Sequence, residues 1–452
     1  MTSARSGAAG TTLWRGLRVI ERIDGDPMRF ALRRADLRIA EDRIVAIGDL
    51  VPAVGERVCE GNDRIALPGF VQGHVHFCQT LFRGLADDLP LLPWLSQRIW
   101  PLEAAHDEES IRVSAELTLH ELLGGGTTAV MGFETVRHTE VTFAACREVG
   151  MTAILGNCLM DTGVSGPSAT LATSSREAMR ITTELADAFD GRDRLAYAVT
   201  PRFVLSVTEA LAQEAAAFAR ARGLRIHTHA CEHPAELSAV RDRFGREYLD
   251  VLDAQGMLGP RTSLAHCVHV DPRGRERIAA SRARVIHCPN ANQKLGSGIA
   301  PIYDYEERGI PIALGADGAP CNNRLCALDE ARSAARLQAM SIGPGRWPAA
   351  RALFAITAGG ADALDLPDCG RIEVGSRADL VLLRPADPDR GAEMDVASMV
   401  VYAVGRESID VVLLGGREVV REGRSLVFDS RALAERAARA RARLLSRAGL
   451  SR

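Results

Sequence analysis

The chain has 452 residues, of which 46% are hydrophobic and 25% charged, a balance typical of a globular enzyme with a large core. Its formal net charge is −3, so it has no basic excess that would attract nucleic acid or an anionic membrane. No stretch approaches the roughly 18 apolar residues of a membrane helix, and the N-terminus lacks the pattern of a secretory signal. The ten cysteines include no CxxC pair, which favours reduced thiols and a cytoplasmic location.

Strand-like runs occupy both ends of the chain. Residues 11–67 contain short strands and turns such as LRIAEDRIVAIGD, and similar runs recur near the other end as GRIEVGSRADLVLL and SIDVVLLGGREVV. We predict that residues 1–67 and 371–452 form one small β-sandwich. The last stretch, DSRALAERAARARARLLSRAGL, is predicted to be a surface helix attached to it.

Between these ends, short apolar runs alternate with stretches of helical periodicity. This alternation is typical of repeated βα units around a parallel sheet. An open doubly wound sheet would need a glycine-rich GxGxxG turn after an early strand, and none is present. We therefore predict a (β/α)8 barrel over residues 68–370, with an α/β fold class. The eight predicted strands are VQGHVHF, TTAVMGF, TAILGNC, AYAVTPRF, RIHTHA, SLAHCV, RVIHCP and PIALGAD.

The stretch GHVHF places two imidazoles one residue apart at the end of the first predicted barrel strand. Because side chains alternate along a strand, His74 and His76 share a face, which at the carboxyl end of a barrel looks into the active-site cavity. His229 and Asp317 end two later strands. Three imidazoles and a carboxylate with a position left for water form the ligand set of a catalytic divalent metal, most simply zinc.

Two further polar residues at strand ends are predicted to move protons. Glu232 lies three residues after His229, where it can carry a proton to the substrate without binding metal. His266 is expected to stabilise the attacking oxygen or the oxyanion, and Asp317 to take the first proton. His227, on the same face as His229, is expected to hydrogen-bond a ligand rather than to be one.

One metal ion per chain is expected. Binuclear barrels of this type bridge two ions with a carboxylated lysine from the fourth strand. The fourth predicted strand here is AYAVTPRF, and the single lysine of the chain, Lys294, lies in the loop NANQKLGSG.

With these residues assembled, the chain resembles the amidohydrolase superfamily, in the branch of guanine deaminase, the adenosine-type deaminases, pterin deaminases and s-triazine hydrolases. The resemblance extends over nearly the whole chain. It implies a zinc or iron enzyme, often a homo-oligomer, that removes ammonia hydrolytically from an amino-substituted ring, here in purine metabolism. Its motifs are LPGFVQGHVH, FRGLADDLPLLPWL, HTHACE, AHCVH, HCPNANQKLGSGIAPI and LGADGAPCNN.

The resemblance also implies residues that bind the ring. Guanine deaminases place a glutamine three residues after the HxH motif, a tryptophan in the next loop and an Arg-Phe pair after the fourth strand. Gln79, Trp94, Arg202 and Phe203 stand at the corresponding positions. A guanidinium suits an exocyclic carbonyl, and the aromatic side chains suit a flat ring.

Other residues resemble the adenosine-type enzymes. In those, the glutamate of WPLE, here Glu103, contacts ribose hydroxyls, and DGAPCNN with Cys321 is also closer to them. Relatives that accept S-adenosylhomocysteine carry an arginine where this chain has Asn157, which disfavours a substrate with a carboxylate tail. We predict a deaminase of an amino-purine base or nucleoside, guanine-like or adenosine-like. The alternatives are a pterin deaminase, an s-triazine hydrolase or dechlorinase, and a catalytically silent scaffold.

Overall fold

The computed structural model describes residues 10–23, 26, 28–62, 64–164, 166–384 and 394–450. None of the helices in these ranges is both long enough and apolar enough to cross a membrane. The strands are β1 (Thr11–Arg22), β2 (Phe30–Ala40), β3 (Arg43–Gly48), β4 (Arg57–Glu60), β5 (Ile65–Pro68), β6 (Phe70–Val75), β7 (Thr127–Gly132), β8 (Thr152–Leu155), β9 (Cys158–Leu159), β10 (Leu195–Pro201), β11 (Arg225–Ala230), β12 (Thr262–His266), β13 (Arg284–His287), β14 (Ile312–Leu314), β15 (Leu380–Leu383), β16 (Ile409–Leu414), β17 (Arg417–Arg421) and β18 (Arg424–Ser425). The α-helices are α1 (Leu91–Trp94), α2 (Trp100–Ala104), α3 (Glu108–Gly124), α4 (Thr139–Val149), α5 (Ser175–Phe189), α6 (Glu209–Arg222), α7 (Pro234–Phe244), α8 (Tyr248–Ala254), α9 (Pro272–Ser281), α10 (Pro289–Lys294), α11 (Ile302–Glu307), α12 (Ala319–Asn322), α13 (Ala327–Ile342), α14 (Ala349–Ala355), α15 (Ala358–Ala363), α16 (Val396–Ser398) and α17 (Ser430–Ala448).

Strands from the two ends of the chain form one composite sheet. Its order is β18-β17-β16-β15-β5-β1-β2-β3, with β4 paired to β1, and β5 and β15 join the two halves antiparallel. Alternate residues of β2 are buried, as period-two patterning requires. Leu17 and Leu37 from the first half share a hydrophobic cluster with Leu380 and Leu413 from the second. The predicted composite β structure is confirmed.

The second sheet is the barrel. Its order is β14-β13-β12-β11-β10-β8-β7-β6, with parallel pairing throughout and β9 beside β10. A parallel bridge between Val75 and Asp317 links the first strand to the segment after the last. Each of the eight predicted runs overlaps a barrel strand, so the predicted (β/α)8 fold is confirmed. The carboxyl ends of these strands meet at one rim.

The chain passes from the composite sheet to the barrel at Gly69, between β5 and β6. The C-terminal helix α17 packs on α3, a helix of the barrel, and its Leu444 is buried. Arg436 and Arg443 of α17 each lie 2.6 Å from a carboxylate of α3. This packing places α17 against the barrel rather than on the predicted sandwich, because its apolar stripe is covered by α3. The predicted boundaries, 1–67 with 371–452 and 68–370, otherwise stay predictions.

Candidate metal centre and active site

Four of the predicted residues meet at the rim of the barrel. His74 lies on β6, His76 directly follows it, His229 lies on β11, and Asp317 follows β14. Their nearest ligand atoms all lie within 4.8 Å of one another. The Nε2 atoms of both His74 and His76 are 3.3 Å from Oδ1 of Asp317. Three strands that are distant in sequence therefore deliver one compact donor set.

In His74 and His229, one imidazole nitrogen makes a hydrogen bond away from the metal-ligand cluster. This bond orients the ring so that its other nitrogen faces the cluster. Nδ1 of His229 lies 2.7 Å from the carbonyl oxygen of Arg202, so it carries the proton, and the lone pair of Nε2 faces the cluster, 3.3 Å from Nε2 of His76. Nδ1 of His74 lies 3.0 Å from Nε2 of His227, at the position expected for a supporting histidine. Nε2 of His74 is buried, and its polar partner among the described residues is Oδ1 of Asp317. A divalent transition metal suits three such nitrogens and a carboxylate.

The carboxylate of Asp317 is held in its ionised form. Burial acts to raise the pKa of Asp317, but hydrogen bonds from His74 and His76 outweigh burial and hold that pKa well below its usual range. The backbone of Asp317 has φ +62°, and that of His266 has φ +71°. Such left-handed conformations cost energy for residues other than glycine and occur where the surrounding structure imposes them, often at functional sites.

Glu232 and His266 face each other beside the metal-ligand cluster. Oε2 of Glu232 is 3.5 Å from Nε2 of His266, and its Oε1 accepts a hydrogen bond of 3.3 Å from Ser297. Burial raises the pKa of Glu232 to about 7, against the opposing pull of His266. Burial opposes protonation of His266, but the carboxylates of Glu232 and Asp317 outweigh burial and raise the pKa of that imidazole. With a pKa of about 7, the carboxyl group of Glu232 gains or loses a proton readily near neutral pH.

A cavity opens above these groups. The Trp94 and Phe203 side chains supply flat apolar walls, which suit an aromatic ring. Oε1 of Gln79 and Nε1 of Trp94 are buried without a hydrogen-bond partner in the described part of the chain. Its lining residues are His76, Gln79, Leu91, Trp94, Leu95, Arg202, Phe203, His229, Glu232, Glu236, His266, Leu295 and Asp317.

Glu103 and Arg202 form a buried bidentate ion pair beside this cavity. The guanidinium donates to the two carboxylate oxygens at 2.6 Å and 3.1 Å. Gln79 and Thr135 donate to the same two oxygens at 2.8 Å and 3.4 Å. Burial acts to raise the pKa of Glu103, but Arg202 outweighs burial and holds it below its usual value. The carboxylate therefore has no acceptor position left, and the expected contact of Glu103 with ribose hydroxyls is not available in this arrangement.

Three predicted substrate-binding residues, Glu103, Asn157 and Cys321, lie outside the cavity lining. Asn157 is buried, and its Oδ1 accepts hydrogen bonds from Tyr197 and Thr182. Cys321 is buried in α12, where its thiol lies 3.1 Å from the carbonyl oxygen of Gly318. The resemblance to the adenosine-type enzymes implied the substrate-binding roles of Asn157 and Cys321, and these roles stay predictions. In the structure both side chains contact neighbouring protein groups, and the thiol of Cys321 also lies beside the carboxylate of Asp317.

Cys78 and Glu103 also lie within metal-ligand reach of His76. Burial raises the pKa of the Cys78 thiol well above its usual value, so the thiolate that a metal requires is disfavoured. The Glu103 carboxylate is already saturated by hydrogen bonds. The cluster formed with His74, His229 and Asp317 is therefore the better metal site.

Sequence reasoning missed three residues that support the site. Asn292 accepts a hydrogen bond from Nδ1 of His266 through its Oδ1, at 2.9 Å, and Ser297 donates to Glu232. Both come from the motif HCPNANQKLGSGIAPI. The polar residues of this motif are the sequence signal that could have indicated a role of the loop in the site. Glu236 lines the cavity and follows Glu232 by four residues, the distance of one helical turn.

A His and Asp cluster at the carboxyl ends of barrel strands, with a titratable carboxyl group beside it, defines a metal-dependent hydrolase of the (β/α)8 type. The chain belongs to the amidohydrolase family, because residues 65–419 match the family model. The predictions of this family and of a hydrolase acting on C–N bonds are confirmed.

The chain is also similar to individual deaminases. A 5-methylthioadenosine/S-adenosylhomocysteine deaminase of Halobacterium salinarum is 36% identical over 93% of this chain and 96% of its own length. A 5′-deoxyadenosine deaminase of Methanothermobacter thermautotrophicus is 33% identical over 91% of this chain and 95% of its own. The crystal structure of an adenosine deaminase from Xanthomonas campestris with bound zinc superimposes with a TM-score of 0.88 at 29% identity, covering 96% of this chain and 98% of that one.

Proposed function

We propose that this protein is a zinc-dependent hydrolytic deaminase of an amino-substituted purine. One observation carries the proposal: a titratable carboxyl group, Glu232, stands beside the four metal-ligating side chains at the floor of a cavity with aromatic walls. A purely structural role requires no such arrangement of buried polar groups, since burying them without partners costs free energy. A silent scaffold is therefore disfavoured.

His74, His76, His229 and Asp317 would hold one zinc ion per chain. When bound, such a metal makes a water molecule nucleophilic near neutral pH. The reaction adds water at the ring carbon that bears the amino group and releases ammonia, which leaves an oxo group on that carbon. Asp317 takes the first proton from the water, and Glu232 delivers a proton to the neighbouring ring nitrogen. The second proton of the water passes to the amino group, which leaves as ammonia, and the proton on Asp317 restores Glu232. His266, oriented by Asn292, stabilises the developing negative charge.

The ion pair of Glu103 and Arg202 affects which class of substrate the cavity can bind. Arg202 lines the cavity, and apart from its bonds to Glu103 its guanidinium has no protein oxygen as an acceptor among the described residues. Its remaining N–H groups therefore suit an acceptor edge of the ring, such as an exocyclic carbonyl beside a ring nitrogen. Because Glu103 is saturated, it can take the two hydroxyls of a ribose only if Arg202, or Gln79 and Thr135 together, give up their bonds to it. This geometry favours an oxo-purine base without ribose.

The second candidate is an adenosine-type nucleoside. The relatives of this chain carry the names of methylthioadenosine, S-adenosylhomocysteine and 5′-deoxyadenosine deaminases, and they match over nearly its whole length. A nucleoside substrate would require either the buried ion pair to open or Gln79 and Thr135 to turn away, so that Glu103 can accept from the ribose. Opening a buried pair without replacing both partners costs about 3–5 kcal/mol.

An ammonia-release screen on zinc-loaded protein tests both candidates. The panel is guanine, 8-oxoguanine, isoxanthopterin, adenosine, 5′-deoxyadenosine, methylthioadenosine and an aminotriazine. We expect the highest kcat/KM for an oxo-purine base, and a preference for the nucleosides would identify the second candidate. Isoxanthopterin or triazine turnover alone would point to the pterin or triazine alternative, and no ammonia from any compound would contradict the deaminase proposal.

Glu232→Gln tests the proton-transfer role. Because the amide cannot exchange a proton, we expect kcat to fall by about 10³-fold while the bound metal stays at the wild-type level. Metal analysis of both proteins provides the control and also tests the stoichiometry of one ion per chain. Near-normal kcat in this variant would contradict the assignment.

A homo-oligomer, a cytoplasmic location and a place in purine metabolism belong to the same proposal.

A further inference from the structure

Glu236 is a buried carboxyl group for which the reaction above has no role. It lies in the first turn of α7, four residues after Glu232, and lines the cavity. Both of its oxygens have protein partners. Oε2 accepts the backbone N–H of Glu232 at 2.8 Å, and Oε1 lies 2.7 Å from the hydroxyl of Tyr248. The side chain therefore binds the backbone of the proton-transfer residue directly.

Tyr248 extends this connection to the metal site. Its hydroxyl oxygen also lies 3.1 Å from the backbone carbonyl oxygen of His229. The hydroxyl has one hydrogen, so both contacts are hydrogen bonds when Oε1 of Glu236 carries a proton, a state favoured by burial, which raises the pKa of Glu236. Tyr248 and Glu236 then form a bridge that begins at the carbonyl of His229 and ends at the amide of Glu232. We call this the 229–232 bridge; its two members are 2% and 1% exposed, so water does not replace its hydrogen bonds.

The segment under the bridge is strained. Cys231 lies between the two anchored residues and has φ +52°, a left-handed conformation that a residue with a Cβ atom rarely adopts. Such a conformation persists where the surrounding structure over-determines it. The bridge supplies hydrogen bonds on both sides of Cys231 and so fixes how far Glu232 stands from His229.

We propose that Glu236 is a positioning residue, which acts through the 229–232 bridge to hold Glu232 at its working distance from the metal site. The proposal rests on the proposed function, because it assigns a reason for the position of the proton-transfer group. A small displacement of a catalytic group lowers the rate strongly, since proton transfer requires hydrogen-bond reach. The effect should appear in kcat rather than in KM.

The competing explanation is helix capping. A glutamate in the first turn of a helix commonly accepts a backbone N–H at the helix start, which stabilises the helix. Loss of a cap lowers the stability of the fold but not the kcat of the folded protein. Turnover, KM and bound metal measured on folded protein separate the two roles.

Three variants test the bridge. We expect Glu236→Ala to lower kcat by about 10- to 100-fold, with KM within threefold of the wild type and metal content unchanged. Glu236→Gln should stay within threefold of the wild-type kcat, because its amide oxygen accepts from Glu232 and its amide hydrogens donate to Tyr248. Tyr248→Phe removes the hydroxyl that joins Glu236 to the carbonyl of His229 but keeps the bond from Glu236 to the amide of Glu232, and it should lower kcat by about 10-fold.

Glu134→Ala is the matched control, because Glu134 is as buried as Glu236 but lies outside the cavity lining. We expect the kcat of this variant to match that of the wild type. A wild-type kcat in Glu236→Ala, or an equal loss in the Ala and Gln variants, would overturn the proposal. If Glu236→Ala does not fold, a wild-type kcat in Tyr248→Phe overturns it instead. A wild type that deaminates nothing refutes the proposed function and this inference together, whereas an active wild type with unaffected variants refutes only the inference.

Discussion

Buried carboxyl groups in this protein differ in charge state according to their neighbours. Glu103 is ionised because Arg202 meets both of its oxygens. Glu232 has a hydroxyl and an imidazole beside it, and its pKa lies at about 7. Glu134 accepts a hydrogen bond from Thr142, and burial raises its pKa to about 8. The positive charge near each group, rather than burial alone, decides which carboxyl can exchange a proton at neutral pH.

Glu134 makes stability depend on pH. Because the pKa of Glu134 in the folded chain, about 8, exceeds the ordinary value of 4.5, the group binds a proton more tightly when folded. Its stabilising effect is complete below pH 4.5 and is lost as the pH rises through about 8. We therefore expect Glu134→Gln to have nearly the wild-type Tm at about pH 5 and a Tm several degrees higher at about pH 9. Thermal melts across this range check the prediction, and a difference that did not change with pH would contradict it.

Local sequence patterns indicated some site residues better than others. The spacing of His74 and His76 predicts a shared face, because strand side chains alternate, and the structure places both there. The pairing of Glu103 with Arg202 joins residues 99 positions apart, and no local pattern predicts such a contact. Of the predicted substrate-binding residues, Glu103, Asn157 and Cys321 fall outside the cavity lining.

At the scale of elements, the metal cluster depends on how closely β14 approaches β6. The two meet through the bridge between Val75 and Asp317, and the backbone N–H of Asp317 donates to the carbonyl of His74 at 2.9 Å. Gly315 lies at this contact. A Cβ atom at Gly315 would lie 2.7 Å from both the backbone nitrogen and the backbone oxygen of His74, which cannot move aside.

Gly315→Ala should therefore push Asp317 away from the histidines. We expect metal affinity to fall by at least about tenfold, with kcat reduced in parallel, because the ligand geometry loosens. Isothermal titration with zinc and the ammonia assay measure the two effects. Gly259→Ala is the control, since a Cβ atom there would meet no other atom within 4 Å and the φ of Gly259 is not positive. Unchanged zinc affinity in Gly315→Ala would show that the contact tolerates a methyl group.

At the scale of the whole molecule, the metal site joins parts of the chain that lie far apart in sequence. Its ligands come from β6, β11 and the segment after β14, which span positions 74–317. Outside the barrel, the composite sheet joins the two ends of the chain, and α17 packs on α3. A ligand that binds only the folded state stabilises the fold by mass action.

Removal of the metal should therefore lower the stability of the whole chain. We expect chelation to decrease Tm by about 5 °C or more, and added zinc to restore it, because free energy of metal binding is lost from the folded state alone. Asp317→Ala is the matched control, and its Tm should respond much less to chelator or zinc. Identical melting of the wild type with and without chelator would contradict the predicted metal centre.

The sequence by itself determined the strand and helix alternation, the (β/α)8 class, the family and the set of polar strand ends, because each of these depends on periodicity or on motifs within a few residues. The tertiary structure decided what those side chains touch. The pairing of Glu103 with Arg202, the bridge from His229 through Tyr248 and Glu236 to Glu232, and the packing of α17 on α3 all join distant positions. Such contacts depend on how closely the folded elements approach one another, and local patterns carry no measure of that distance.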